Sequence, residues 1–225
     1  MKTAIVTAII GDSHRRLAEV SLPPMKKYAD RIGAKFVMIL QRQFPVHAPH
    51  WEKMQLRDVL SSCDRVAWMD VDLVVSPKAP SIFEAAPAGH LSAFDEGKVF
   101  TDRENQFPPE IVHYKIQIPP AAARQFSYFN SGVMVVDAVH RDLFVLPQDP
   151  KRDSIMHDQT YLNLRAHALK LPFHDLTSRW NGLHSIHPKS ERHTLWTVHY
   201  AGYPKTADWV DRVRLEMLVD LARFV

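Results

Sequence analysis

The first forty residues constrain the fold more than any other stretch. Ala4 to Ile10 is a run rich in β-branched residues, stopped by Gly11-Asp12, and it reads as a buried strand. Ser13 is placed to cap a helix over roughly His14 to Val20. Pro23-Pro24 is expected to interrupt that helix, with a second helical segment reaching Ile32 and ending at Gly33. Lys35 to Leu40 reads as the next strand. Strand, helix and strand in so short a span predict parallel pairing with a right-handed crossover. The same amino-terminal stretch mimics a signal peptide, but its apolar part is short and no convincing cleavage site follows, so a first strand is the expected reading.

A second βα repeat follows. Residues 41–50, with Pro45 and Pro49, read as a loop, and Trp51 to Leu60 has near-helical apolar spacing. Val66 to Met69 is a buried strand that delivers Asp70 and Asp72, and Leu73 to Val75 continues to a stop at Ser76-Pro77. Beyond these, the pattern predicts a helical turn near Ile82 to Ala85 and a strand from His90 to Phe94. A polar, proline-rich excursion from Asp95 to Pro120 has the character of a mobile lid or binding loop. Phe126 to Val136 reads as a strand pair interrupted by Asn130-Ser131-Gly132, and Ser154 to Lys170 as a helix. Leu171 to Phe173 is extended and Arg179 to Pro188 is loop. A last strand spans Leu195 to Tyr200, and Asp208 caps a closing amphipathic helix. The fold class is α/β, one domain with a mostly parallel central sheet flanked by helices.

Composition narrows the chemistry. A 225-residue chain with 46% hydrophobic and 24% charged residues can bury a sizeable core. Net charge is +3, but the basic residues are scattered pairs, such as Arg15-Arg16 and Lys26-Lys27, rather than a contiguous surface. That argues against nucleic acid as the main partner. The single cysteine, Cys63, excludes an intrachain disulfide and fits a reducing compartment. No run approaches the ~20 apolar residues of a membrane span.

Asp70 and Asp72 carry the clearest chemical signal. In a strand, positions i and i+2 share a side, so both carboxylates can reach one centre. Two such charges resist joint ionisation, and a divalent cation removes the conflict. Oxygen ligands favour Mg2+, Ca2+ or Mn2+, and an imidazole such as His199 shifts the expectation toward Mn2+. Two aspartates one apart also occur in ordinary polar turns, and most of the 13 histidines must serve surface or core. Of only seven glycines, Gly132, Gly182 and Gly202 sit in polar clusters. His199 and Lys205 flank Gly202 at three residues on either side, which can bring a ligand and an ammonium to one phosphate pair. No glycine-rich phosphate loop of either standard pattern occurs, and Ser131 lacks the context of a hydrolase elbow.

Taken in order, Lys53, Asp70-Val71-Asp72, Phe129-Asn130-Ser131-Gly132-Val133, Asp158-Gln159 with Leu162-Asn163, and His199-x-x-Gly202-x-x-Lys205 resemble a GT-A glycosyltransferase. The resemblance is nearest to glycosyltransferase family 8, the glycogenin and lipopolysaccharide galactosyltransferase type, and spans roughly residues 3 to 205. It implies a Rossmann-like GT-A domain over 1–225. The donor-binding half would cover about 1–95, the variable excursion about 95–120 and the acceptor-side half about 121–225. It also implies a nucleotide-sugar donor, usually a UDP-sugar, held through Mn2+ (or Mg2+), with retention of anomeric configuration. Asp70, Asp72 and His199 would match the metal ligands. Gly202 and Lys205 would lie at the donor diphosphate, with Lys53 near the donor, Val71 among the donor-binding residues, and Thr7 and Ala8 near the base and ribose. Asn130, Asp158 and Gln159 would face the donor sugar and acceptor as catalytic residues. The chain departs from the family after Lys205, where Thr206-Ala207-Asp208-Trp209 replaces a Lys-Pro-Trp triplet.

The implied partners are the nucleotide-sugar donor and a glycan, lipid-linked or small-molecule acceptor. Membrane contact would be peripheral at most, and the expected location is cytoplasmic. Two other readings remain: a sugar nucleotidyltransferase, which also pairs aspartates on an α/β sheet, and a non-catalytic sugar-binding protein on the same fold.

Overall fold

The computed structural model describes residues 1–150 and 156–224. Strand β1 (Thr3–Ala8) leads through Gly11, whose φ of +85° suits a residue without a Cβ, into helix α1 (Asp12–Arg31). Strand β2 (Lys35–Ile39) then returns parallel to β1, as the opening pattern requires. The prolines do not break α1, which runs twenty residues through Pro23 and Pro24. Pro23 lies on the exposed side, where water can serve the carbonyl that its missing N–H leaves free. The opposite side buries Leu17, Val20, Met25 and Tyr28, and that packing outweighs the local penalty. Ser13 is inside the helix, and Gly11 occupies the cap position without a side-chain hydrogen bond.

Tight helical turns over Pro49–Gln55 precede the short α2 (Leu56–Val59), where one continuous helix was expected. Strand β3 (Arg65–Met69) pairs parallel with the other edge of β1, and β4 (Leu73–Val75) follows after three intervening residues, Asp70-Val71-Asp72. Next come α3 (Ile82–Ala85), β5 (Leu91–Phe94) and α4 (Phe107–Tyr114). Strand β6 (Asn130–Asp137) is one continuous strand with Asn130-Ser131-Gly132 inside it, not a broken pair. The chain continues with α5 (His157–Ala168), β7 (Phe173–Asp175), α6 (Thr177–Trp180) and β8 (Gly182–Leu183). It ends with β9 (Thr197–His199) and α7 (Trp209–Arg223). Of the helix expected from Ser154, the first two residues lie outside the described residues. Asp208 sits at the start of α7, but its carboxylate accepts from Thr206 Oγ1 at 2.7 Å and caps no helix N–H.

Six strands form the main sheet in the order β2-β1-β3-β6-β5-β7. Strand β6 runs antiparallel to both its neighbours, and the other pairings are parallel. Both faces are covered, which is why its strands read as unbroken apolar runs. One face carries Val6, Trp68 and Met134 against Trp51, Met54, Tyr161 and Leu162. The other carries Ile5, Met69 and Val133 against Met25 and Tyr28 of α1 and Ile82 of α3. A second sheet, β4-β9-β8, packs Val74 and Val198 against Leu17 of α1 and Val213 and Met217 of α7. Among the described residues, no helix is long and apolar enough to cross a membrane.

Candidate active site

The aspartate pair lies where the chain passes from one sheet to the other. Asp70 and Asp72 are not strand residues; they occupy the turn between β3 and β4, so turn geometry and not strand alternation brings them together. Backbone bonds on both sides pin that turn. Asp70 N–H donates to Gly132 O at 2.8 Å, and Tyr200 N–H donates to Asp72 O at 2.9 Å. Because β9 pairs with β4 in the second sheet, His199 stands directly opposite Leu73. Its Nε2 is 3.3 Å from Asp72 Oδ1 and 3.7 Å from Asp70 Oδ2. One potential ligand atom from each of the three residues lies within 4.8 Å of the others.

The electrostatics of this cluster are uneven. Burial and the neighbouring Asp72 and Asp158 raise the Asp70 pKa against the pull of Lys53 and His199. Burial would also raise Asp72, but His199 outweighs it and holds Asp72 well below the usual carboxylate range. Burial disfavours a charged imidazole at His199, yet Asp72 and Asp70 prevail and raise its pKa. Two crowded carboxylates and an imidazole nitrogen facing them make a donor set suited to a hard or borderline divalent cation.

Gly132 makes room for the ring. A Cβ at that position would lie 2.1 Å from His199 Cε1 and 2.7 Å from its Nδ1. The ring has little freedom to yield, since Asn181 holds one nitrogen at 2.8 Å while the other faces Asp72. Gly132→Ala is therefore expected to cost about 1–3 kcal/mol by overpacking, read by denaturant unfolding. A variant as stable as the parent would show that the ring can move aside.

Lys53 is buried at the floor of the cleft. Its Nζ is 2.9 Å from Asp158 Oδ2 and 3.6 Å from Asp70 Oδ1, and it donates to Ser131 O and Oγ at 3.1 and 2.9 Å. Burial would lower its pKa, but Asp158 and Asp70 dominate and raise it. Gln159 is held at both ends: Oε1 accepts from Ser131 N–H at 3.0 Å and Nε2 donates to Glu96 Oε1 at 2.9 Å. On the opposite wall, Lys205 Nζ lies 3.6 Å from the centroid of the Trp209 ring. Burial lowers the Lys205 pKa, with Asp72 opposing. Gly202 turns the chain between His199 and Lys205 at φ +78°.

These groups share one cleft of about 560 Å³. It brings together Ala8, Lys53, Asp70, Val71, Asp72, Asn130, Asp158, Gln159, His199, Gly202 and Lys205. Thr7 is the exception. It is fully buried on the other face of β1 from Ala8 and does not line the cleft, and its hydroxyl has no partner among the described residues. The cleft also takes residues that the sequence did not single out. Glu96 accepts from Asn130 Nδ2, Gln159 Nε2 and Arg103 Nε, and Trp68 Nε1 donates to Asp70 Oδ1 at 2.6 Å. Glu96 had a signal: like Asp70, it is an acid just past a buried strand. The excursion expected to be a mobile lid thus begins as a buried wall of the site. Asn181, between Trp180 and Gly182, does not line the cleft but is buried against His199, and it carried no pattern of its own.

No family model and no curated protein matches the sequence. Among solved structures, a glycosyltransferase involved in glycosylation of the major capsid of PBCV-1 superposes with a TM-score of 0.63 at 14% identity. The match covers 97% of this chain and 100% of that one. The galactosyltransferase LgtC, solved with donor and acceptor sugar analogues, gives 0.55 at 13% identity, over 96% of this chain and 95% of that one. The glycosyltransferase GlyE of Streptococcus pneumoniae gives 0.56 at 15% identity, over 100% of this chain and 63% of that one. The α/β architecture, with its cleft at the carboxyl ends of the parallel strands β1 and β3, is the fold of the GT-A glycosyltransferases.

Proposed function

We propose that this chain is a metal-dependent glycosyltransferase. It moves a sugar from a nucleoside-diphosphate donor, a UDP-sugar, to a hydroxyl acceptor, with Mn2+ or Mg2+ held by Asp70, Asp72 and His199. One observation carries this reading: a three-residue ligand cluster and the Lys205 ammonium face the same cleft as the polar set Asn130, Asp158 and Gln159. A bound divalent cation would supply Lewis-acid charge to the diphosphate leaving group as the glycosidic bond breaks. Lys205 adds a second positive charge on that wall, and its stacking on Trp209 holds the ammonium in place. Gly202 lets the backbone approach the diphosphate closely.

The state of Asp158 favours one route to retention. A two-step path needs a free carboxylate at the anomeric carbon. Asp158 instead commits Oδ2 to Lys53 at 2.9 Å, with Ser131 Oγ at 3.4 Å, which blunts it as a nucleophile. The reading is therefore a front-face displacement, in which the departing phosphate takes the acceptor proton. Gln159 and Asn130 shape the sugar-facing wall.

A donor panel tests this. UDP- and GDP-sugars are incubated with Mn2+ or with EDTA, scoring nucleotide release and thermal shift. A UDP-sugar is expected to release UDP with Mn2+ and not with EDTA, and UDP with Mn2+ at 100 times its Kd should stabilise the fold by about 2.7 kcal/mol. Absence of metal-dependent stabilisation by any nucleotide would favour the sugar-binding reading. Pyrophosphate release from a nucleoside triphosphate and a sugar phosphate would favour the nucleotidyltransferase.

A further inference from the structure

Two buried asparagines stand between Glu96 and His199, and their orientation is imposed from outside. The backbone N–H of Gly132 donates to Asn130 Oδ1, and Asn130 Nδ2 donates to Glu96 Oε2, both at 2.8 Å. A backbone amide can only donate. The Glu96 carboxylate acts as an acceptor, since it also receives Arg103 Nε and Gln159 Nε2. Asn130 is thus confined to one orientation. The Asn181 nitrogen Nδ2 lies 2.8 Å from Asn130 Oδ1 and must be the group that meets it. That places Asn181 Oδ1 at 2.8 Å from His199 Nδ1. An amide oxygen only accepts, so Nδ1 carries the hydrogen, and in the neutral ring Nε2 keeps its lone pair toward Asp70 and Asp72. Asn181 is 0% exposed, Asn130 5% and His199 2%, which seals the chain of bonds from competing solvent.

We infer that Asn130 and Asn181 are positioning residues that carry hydrogen-bond polarity from Gly132 and Glu96 to His199, holding its imidazole in the Nδ1–H form with Nε2 presented to a cation. Asn130 acts in this way through His199, independently of any contact with the sugar. The relay has a use only if a cation is held at Asp70, Asp72 and His199, as proposed above. A second-sphere partner of this kind fixes ring orientation and raises the basicity of the ligating nitrogen.

The tautomer can be read without metal or substrate. Long-range 1H–15N correlation on the 15N-labelled full chain, at a pH where His199 is neutral, is expected to show hydrogen on Nδ1. Hydrogen on Nε2 in the parent protein would overturn the relay, whatever any variant does. In Asn181→Ala the Nδ1–H preference should be lost, and Mn2+ affinity, followed by the EPR signal of the free ion, should fall about 10- to 100-fold. Excess Mn2+ should restore most of kcat, leaving the defect in metal affinity. Asp72→Asn separates the two readings. If it binds Mn2+ as well as the parent, the metal site fails. If it loses Mn2+ while Asn181→Ala binds like the parent, the relay fails and the metal site stands.

Discussion

Asp72→Asn is expected to lower metal-dependent transfer about a thousandfold while leaving the fold intact. The substitution keeps the shape of the side chain and removes one anionic ligand. Of the two carboxylates, Asp72 lies nearer His199, with Nε2 3.3 Å from its Oδ1 against 3.7 Å for Asp70, and Asp70 already accepts from Trp68 Nε1 and faces Lys53, so Asp72 is the freer ligand for a cation. A divalent ion at a diphosphate leaving group contributes several kcal/mol to the transition state, and three decades in rate correspond to about 4 kcal/mol. Nucleotide release and acceptor transfer at saturating donor measure the effect, and a circular dichroism melt shows whether the fold survives. Turnover equal to the parent in Mn2+ would remove Asp72 from the metal site.

Lys53→Met should act on the fold itself. Methionine matches the length of the stem, but it leaves Asp158 and Asp70 without their cation and Ser131 without a donor. Breaking a buried pair from one side costs about 3–5 kcal/mol, because a desolvated charge remains. For a chain of this size that corresponds to roughly 6–20 °C in Tm. Adding Asp158→Asn should recover part of the loss, since the stranded charge goes with it; a double-mutant cycle isolates that coupling. A Tm within 2 °C of the parent would mean that water or a neighbour compensates, and that Lys53 does not hold the floor of the cleft together.

The fold was more legible than the site, for a physical reason. Alternating strand and helix patterns are local, and β1, α1, β2 and β3 follow from apolar runs and glycine stops within a few residues of their bounds. Errors came where tertiary packing overrode local preference. Pro23 and Pro24 stay inside α1 because both ends of that helix are anchored on the two sheets. Asn130-Ser131-Gly132 continues β6, although its composition suggests a turn, because Gly132 lies against His199 and Asn130 is bonded to Glu96 and Asn181. Asp70 and Asp72 are legible in the sequence by their chemistry, but the turn between the sheets, and not strand alternation, brings them together. Glu96 had only its place past a buried strand to mark it, and Asn181 had nothing, because the roles of both come from partners elsewhere in the chain.

The passage of the chain from one sheet to the other between Asp70 and Asp72 has a consequence for folding order. His199 comes from the far end of the sequence, Lys53 from before β3, and Asp158 from the start of α5, so no contiguous half of the chain contains the cleft. Contacts this distant in sequence carry the largest loop-closure cost and mature late. The cleft is therefore a record of completed assembly: a nascent or clipped chain can own every strand of the first βαβ unit and still lack a place to hold a ligand.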